Sequence, residues 1–468
     1  MKKVYHILFI FTTVCLWSSC ANLDLDPLDT GSRDSWYSSE DEIQRSIGGL
    51  YRTVFFTLNG NESTIDYSPW SDDNQSRASL NFITGGTING ESDQVKKRWQ
   101  NGYKAIARAN ILLEKLEDAN SVGISEEKKQ LYRAQTLFVR ATQYAILTSL
   151  FGDVVYIDKE ISIDEAFEMG RTEREEVMEN VYKDLDEAAH YLPETYGTQR
   201  EFATKGAAYA IKARYALYNE DWELAAQAAK KCMDLQIYEL HPDFEELFIA
   251  STHHAKENIL SWPRSVELKN YLDVGAAMSY CPRNRGGYAS EYPSWELFCS
   301  FLCSDGLPID ESPLFDPQNP FKNRDPRCTA TIVEFGTEHV GVIYNPNPNI
   351  SRVWSAIAGK EITNLGCKTG SQYASYNGLL RKKGVDELWI NDGTFKVDPD
   401  FVFIRYGEVL LTYAEAKIEA NDIDQSVLDA INQVRARAYK KDYAAATGYP
   451  KVTTQDRDKL RQIVRIER

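Results

Sequence analysis

The prolines divide this chain. Of 16, 12 fall from Pro242 to Pro399. Proline lacks a backbone N–H and clashes with the preceding helical turn, so no long helix runs through that stretch. The clusters Pro313-Leu-Phe-Asp-Pro317-Gln-Asn-Pro320 and Asn345-Pro-Asn-Pro-Asn349 break it further, and Thr331-Ile-Val-Glu-Phe335 reads as a short strand. Elsewhere the apolar spacing is helical. Trp99, Tyr103, Ile106, Leu113 and Leu116 mark one helix over 95–118. Leu131, Ala134, Phe138, Ala141, Tyr144 and Ala145 mark a second over 126–150, with Gly152 as its stop signal. A third covers 173–191 and closes before Pro193. Two more, 203–218 and 222–235, are joined by Asn219-Glu220-Asp221, with Asp221 placed to cap the second. A late pair falls at 403–420 and 425–438.

Gly206, Ala207, Ala208, Ala225, Ala226, Ala228 and Ala229 line the seam of the 203–235 pair. Small residues let two helix backbones approach closely, and such a hairpin resembles a tetratricopeptide unit, although no clean 34-residue repeat can be read. The expected fold is mainly α: a tetratricopeptide-like helical hairpin scaffold carrying a long, loop-rich, irregular insertion. The expected segments are 1–19, 20–38, 39–240, 241–400 (the insertion and expected binding region) and 401–468. The last ends at Ile463-Val-Arg-Ile-Glu-Arg468 in mid-pattern, and further chain is expected beyond it.

Lys2-Lys3, the apolar run Val4 to Val14, and Ser18-Ser19 before Cys20 have the form of a secretory signal. The serine pair followed by cysteine resembles a bacterial lipobox, with Trp17 where that pattern usually has Leu. Cys20 is therefore the expected lipidation site, ahead of an acidic tether; an ordinary cleaved signal peptide is the alternative. With Cys15 in the signal and Cys20 as the anchor, six of the eight cysteines remain, at 232, 281, 299, 303, 328 and 367. Export would permit pairing, but buried free thiols are favoured, and Cys299 and Cys303 sit four apart in a helix-like stretch that disfavours a bridge.

The net charge of −16 argues against a phosphate-backbone partner, so no nucleic acid is expected. No GxSxG, HExxH or P-loop occurs. His253-His254 is adjacent rather than i,i+4 and is expected in solvent. Asp72-Asp73-Asn74 lacks the further spacing of a calcium loop. No catalytic residue, metal or cofactor is expected.

Several ordered fragments together resemble the SusD/RagB family of Bacteroidetes outer-membrane nutrient-binding lipoproteins. They are Cys20-Ala-Asn-Leu-Asp-Leu-Asp-Pro27, Ser39-Glu-Asp-Glu-Ile with Gly48-Gly-Leu-Tyr51, and Arg98-Trp99 through Ala109-Asn110. Ala134-Gln-Thr-Leu-Phe-Val-Arg-Ala141 then leads to Leu150-Phe-Gly-Asp153. Ala203-Thr-Lys-Gly-Ala-Ala208, Asp221-Trp222, Ser304-Asp-Gly306 and Asn323-Arg-Asp-Pro-Arg327 follow. Arg405-Tyr-Gly-Glu-Val-Leu-Leu-Thr-Tyr-Ala-Glu-Ala416 and Ile431-Asn-Gln-Val-Arg-Ala-Arg437 complete the series. The resemblance implies a lipid-anchored, surface-facing outer-membrane protein that binds glycan and passes it to a SusC-like TonB-dependent transporter, with no covalent chemistry of its own. An interaction scaffold or lid for peptide or another nutrient is the alternative.

Sugars present apolar C–H faces and many hydroxyls, so a surface site needs exposed aromatics beside planar polar groups. Three stretches have that make-up. Tyr67-Ser-Pro-Trp70-Ser-Asp72-Asp73-Asn74-Gln75-Ser-Arg77 offers Trp70, Asp72, Asn74 and Arg77, with packing of Trp70 on the scaffold as the alternative. Tyr280 to Tyr292 offers Arg285 and Tyr288 around a turn at Gly286-Gly287. Trp354, with Tyr373 and Tyr376, forms the third group. Trp99, Trp222 and Trp295 are expected in the core, while Trp262 and Trp389 are open.

Overall fold

The computed structural model describes residues 36–58, 70–77, 83–117, 123–197, 201–253, 255–390 and 393–468. The signal segment, Cys20, Tyr67 and His254 lie outside them. Fourteen α-helices occur among the described residues, against short strands only. None of these helices is long and apolar enough to cross a membrane.

The scaffold begins with α1 (Glu40–Leu50), whose N-terminus carries a reciprocal cap between Ser39 and Glu42, and a short α2 (Thr53–Phe56). Then come α3 (Asp93–Glu117), α4 (Glu126–Phe151), α5 (Ile163–Glu168), α6 (Arg174–Tyr191), α7 (Lys205–Tyr218) and α8 (Trp222–Asp234). Ser125 caps α4, and Gly152 ends it at φ 67, a conformation that favours glycine. α4 is buried along most of its length because α3 and α6 both pack on it. Gly102 of α3 makes room for Leu147, whose methyl carbons would stand 3.0 Å from an added Cβ.

Polar groups tie this stack together. Buried Arg98 donates to Phe55 O at 2.7 Å, Thr57 O at 3.0 Å and Gln143 Oε1 at 2.6 Å. Arg140 grips Asp184 with two bonds of 2.8 and 2.9 Å. The alanine seam of α7 and α8 closes as expected, but Asp221 does not cap α8. Its carboxylate accepts from Tyr182 Oη at 2.6 Å and Asn219 Nδ2 at 2.8 Å instead.

After α8 the stack resumes only at α12 (Tyr406–Glu419), which packs on α8, on α13 (Gln425–Ala438) and on α14 (Arg457–Glu467). The intervening chain leaves and re-enters through an antiparallel pair, β2 (Asn258–Trp262) with β8 (Phe401–Arg405). Residues 403–405, expected as helix, are therefore strand. The β-branched and aromatic side chains of Phe401-Val-Phe-Ile suit a pleated surface between core layers. At this neck Glu257, wholly buried, receives Arg405 at 2.6 Å, Arg437 at 2.7 Å and the His241 N–H at 2.7 Å. Burial alone would raise its carboxyl, but the two guanidiniums outweigh that and hold it below the usual range. Trp262 and Trp389, left open by the sequence, are both buried.

Between the neck strands lie the strand that pairs with residues 74–76 and the remaining short elements. β1 (Asn74–Ser76) pairs with β3 (Glu291–Pro293), flanked by α9 (Val274–Tyr280) and α10 (Trp295–Ser300). α11 (Pro326–Thr331) precedes a four-stranded antiparallel meander of β4 (Thr337–His339), β5 (Val342–Tyr344), β6 (Arg352–Ser355) and β7 (Lys360–Thr363). The strand expected at 331–335 is absent. Asp325 caps a proline-led helix there, and Ile332 makes only an isolated bridge to Arg381.

The six cysteines among the described residues are all free, and five are buried. Burial pushes the thiols of Cys281 and Cys328 up to about 12, which keeps them protonated and inert. α10 ends at Ser300, so Cys299 and Cys303 do not share a helix face.

Candidate functional site: three loops drawn to one aromatic face

β1 and β3 are separated by more than two hundred residues, yet they zip together in the register Asn74 to Pro293, Gln75 to Tyr292 and Ser76 to Glu291. The backbone continues the ladder on both sides. Arg77 N–H donates to Ser290 O at 2.8 Å, and Ser294 N–H donates to Asp73 O at 3.0 Å. Ser294 Oγ bonds Asp72 O while accepting from Leu297 N–H at 3.1 Å, so one hydroxyl both caps α10 and pins the first loop.

The turn before β3 depends on Gly287. A Cβ there would meet Cys281 O at 2.2 Å. This close approach buries Ala289 and leaves Tyr288 42% exposed. Arg77 then draws in the third loop. Its Nη1 donates to Tyr288 O at 2.6 Å and Ala289 O at 3.3 Å, and also to Tyr373 O. One guanidinium thus joins the loops at 70–77, 280–292 and 371–377. Asn377 adds a second link, donating from Nδ2 to Pro293 O at 2.8 Å and Gln75 Oε1 at 3.1 Å.

The result is an exposed aromatic face. Tyr373 is 50% exposed and Tyr376 56% exposed. The Tyr373 ring has the Arg77 guanidinium 5.4 Å and the Arg283 guanidinium 5.6 Å from its centroid. Lys368 Nζ stands 3.3 Å from the centroid of Tyr376. Trp295, expected in the core, is exposed instead. It is the first residue of a six-residue helix whose inward face is taken by Phe298, so its ring lies edge-on to Phe298 and its Nε1 donates to Asn377 O at 3.1 Å. That places Trp295 beside the third loop.

Of the residues singled out from the sequence, Asn74, Arg77, Tyr288, Tyr373 and Tyr376 meet at this face. Asn74 Nδ2 donates to Glu291 Oε2 at 2.7 Å; burial raises the Glu291 carboxyl, against the opposing pull of Ser76, Asn74 and Arg77. Asp72 is exposed at the edge, and Trp70 is half-buried where the loop begins. Two residues point elsewhere. Arg285 Nη1 donates to Val340 O and lies 3.6 Å from Glu387, so it braces the insertion rather than reaching outward. Trp354 projects from β6, where it faces Glu361 across the meander. Among the described residues no ring contact joins it to Tyr373 or Tyr376. His253, expected in solvent, is tied through Nδ1 to Asp400 at 2.6 Å.

Chemically, the face offers flat apolar rings beside amides, a guanidinium and an ammonium, on an open surface. The described residues contain no group of acids, histidines and cysteines placed to hold a metal ion.

Comparison with known proteins extends this picture. The family model described as "SusD family" matches residues 262–468, and that described as "Starch-binding associating with outer membrane" matches residues 23–217. The chain belongs to the SusD/RagB family. Among SusD-like relatives of known structure, a SusD-like carbohydrate binding protein of Bacteroides fragilis is 28% identical, covers 92% of this chain and 83% of that one, and superposes with a TM-score of 0.77. A second SusD-like protein of the same species, 23% identical, shares the fold at a TM-score of 0.72 over 95% of this chain and 85% of that one. A SusD-like protein of Formosa agariphila is 26% identical over 458 residues, 94% of this chain and 82% of its own length. The aromatic face draws on both matched regions of this SusD/RagB member, with Arg77 from the first and Tyr288, Trp295, Tyr373 and Tyr376 from the second.

Sequence reading missed Trp295 and Lys368. The helical spacing of Trp295 with Phe298 pointed inward for both, and only the shortness of α10, set by the Ser294 cap and the break at Phe301, separates them. Nothing local marks Lys368, whose position over Tyr376 follows from the fold of the 364–377 loop.

Proposed function

We propose that this protein is a glycan-binding lipoprotein of the outer membrane, anchored through Cys20 and facing the cell surface. It captures oligosaccharide or polysaccharide and delivers it to a SusC-like TonB-dependent transporter. The observation that carries the binding step is the convergence of three distant loops on exposed Tyr288, Trp295, Tyr373 and Tyr376. Aromatic residues of that size are normally buried, and leaving several together on one rigid surface is the signature of a binding face. Their rings suit the C–H faces of pyranoses, while Gln75, Asn74 and Asp72 suit the hydroxyls. The carbohydrate-binding relative in Bacteroides fragilis supports the same reading. The work of such a protein is capture and positioning, with no bond made or broken.

A glycan-array screen of the purified protein beside a Tyr288→Ala, Tyr376→Ala double variant tests this. Selective binding to one glycan class, lost in a variant with an unchanged melting curve, supports both function and face. Equal binding by both proteins would remove these residues from the site. Binding to no glycan would move the reading to peptide or another nutrient.

A further inference from the structure

Resting on the glycan reading, we propose that this face selects anionic glycans, with the Lys368 ammonium taking the carboxylate or sulfate of a sugar seated beside Tyr376. In the scaffold and neck, Arg140, Arg214, Arg405, Arg435 and Arg437 each reach a carboxylate. At the aromatic face the pattern changes. Among the described residues Arg77, Arg283 and Lys368 form no ion pair.

Their partners are carbonyl oxygens and rings. Arg77 bonds three carbonyls, Arg283 Nη1 donates to Gly287 O at 2.9 Å, and Lys368 Nζ, over the Tyr376 ring, reaches Gln372 O at 3.5 Å. Carbonyls and π faces orient a cation without cancelling its charge. Glu291, the acid whose field meets Arg77, is occupied by Asn74 and is not within ion-pair distance of the guanidinium. The face therefore holds three cations with no ion pair among the described residues, beside Glu291 and Asp72, on a chain of net charge −16.

The cations also feel one another. Desolvation first, and then the positive charge of Arg77, lowers the affinity of Lys368 for its proton. An incoming anion would relieve that repulsion. Arginine alone would be ambiguous, because its fork also serves neutral hydroxyls. Lysine is a compact point charge with donors only, and this one is exposed and stands over one face of the Tyr376 ring. A sugar seated beside Tyr376 on the side that Lys368 covers brings a C5 carboxylate or a sulfate ester against the ammonium. A neutral sugar leaves the three charges unmet.

The test uses the purified full chain in titration calorimetry against four probes: polygalacturonate and chondroitin sulfate as the carboxylated and sulfated arms, amylopectin and xyloglucan as neutral controls. The expected result is binding of an acidic polymer at least about tenfold tighter than either neutral one, falling by about tenfold or more between 0.05 and 0.5 M NaCl as screening shortens. Lys368→Gln, a surface change, should weaken acidic binding by about tenfold. Arg352→Gln, on the meander, should leave it unchanged. Preference for a neutral polymer overturns the anionic selection while the glycan reading stands. Acidic binding that survives Lys368→Gln, or falls equally in Arg352→Gln, also overturns it. Binding to none of the four, with a positive glycan array, overturns it too; a blank array removes the glycan reading beneath it.

Discussion

The scaffold and the insertion solve opposite problems with the same residue types. In the helical stack, three arginines sunk among helices are matched to carboxylates: Arg140 with Asp184, Arg214 with Glu408, and Arg435 with Glu467. Large aromatics are buried there, as with Tyr51, Phe56 and Phe138. At the aromatic face carried by the insertion, Arg77 and Arg283 hold loops through carbonyls, and Tyr288, Trp295, Tyr373 and Tyr376 stay in water. The contrast teaches that the stack is built for rigidity and the insertion for contact. Glu257 sits where they meet and fixes one to the other.

The largest expected effect lies at that junction. Glu257→Ala leaves the buried Arg437 guanidinium, the half-buried Arg405 guanidinium and a backbone N–H without that acceptor. Removing one side of a buried ionic cluster costs about 3–5 kcal/mol, so the urea midpoint should fall accordingly. A loss below about 1 kcal/mol would mean that the neck is not a structural keystone.

Next comes a pH effect confined to the meander. Burial, helped by Lys382, lowers the imidazole of His339 to about 4. Its unfolded value is near 6.5, so the folded protein binds fewer protons than the unfolded chain between those limits. The contribution is fully present above pH 6.5 and is lost as pH falls toward 4, by about 3 kcal/mol across the window. His339→Phe should flatten this part of the stability profile in denaturation measured from pH 7 to pH 4. An unchanged slope would mean that His339 is not held neutral by burial.

Effects on the aromatic face should spare stability. Tyr376→Ala is expected to weaken glycan binding by roughly tenfold, about 1.4 kcal/mol, with unfolding changed by less than about 0.5 kcal/mol. The smallest effect is expected at Trp354→Ala. If the meander stands apart from the binding face, affinity should stay within about twofold; a larger loss would extend the face onto β6.

The helices were legible because their period is local. Leu131 to Ala145 mark α4, and Gly152 ends it where the chain turns. The splice was legible in the prolines. What sequence could not supply were the long-range consequences. Residues 403–405 are strand because β2 lies beside them, and Asp221 serves Tyr182 rather than its own helix. At the candidate site, composition singled out Arg77, Tyr288, Tyr373 and Tyr376, but the pairing of β1 with β3 that unites them has no local signal. Trp354 and Arg285 shared that composition, and only register and bonding separate them from the face.

Hydrogen exchange with and without a glycan identified on the array tests the central claim most directly. Slowed exchange in the amides of 72–77, 286–295 and 368–378, with the helical stack and β4–β7 unaffected, is the expected result. Protection centred on the helices or on the meander, with those three loops unchanged, would contradict the account.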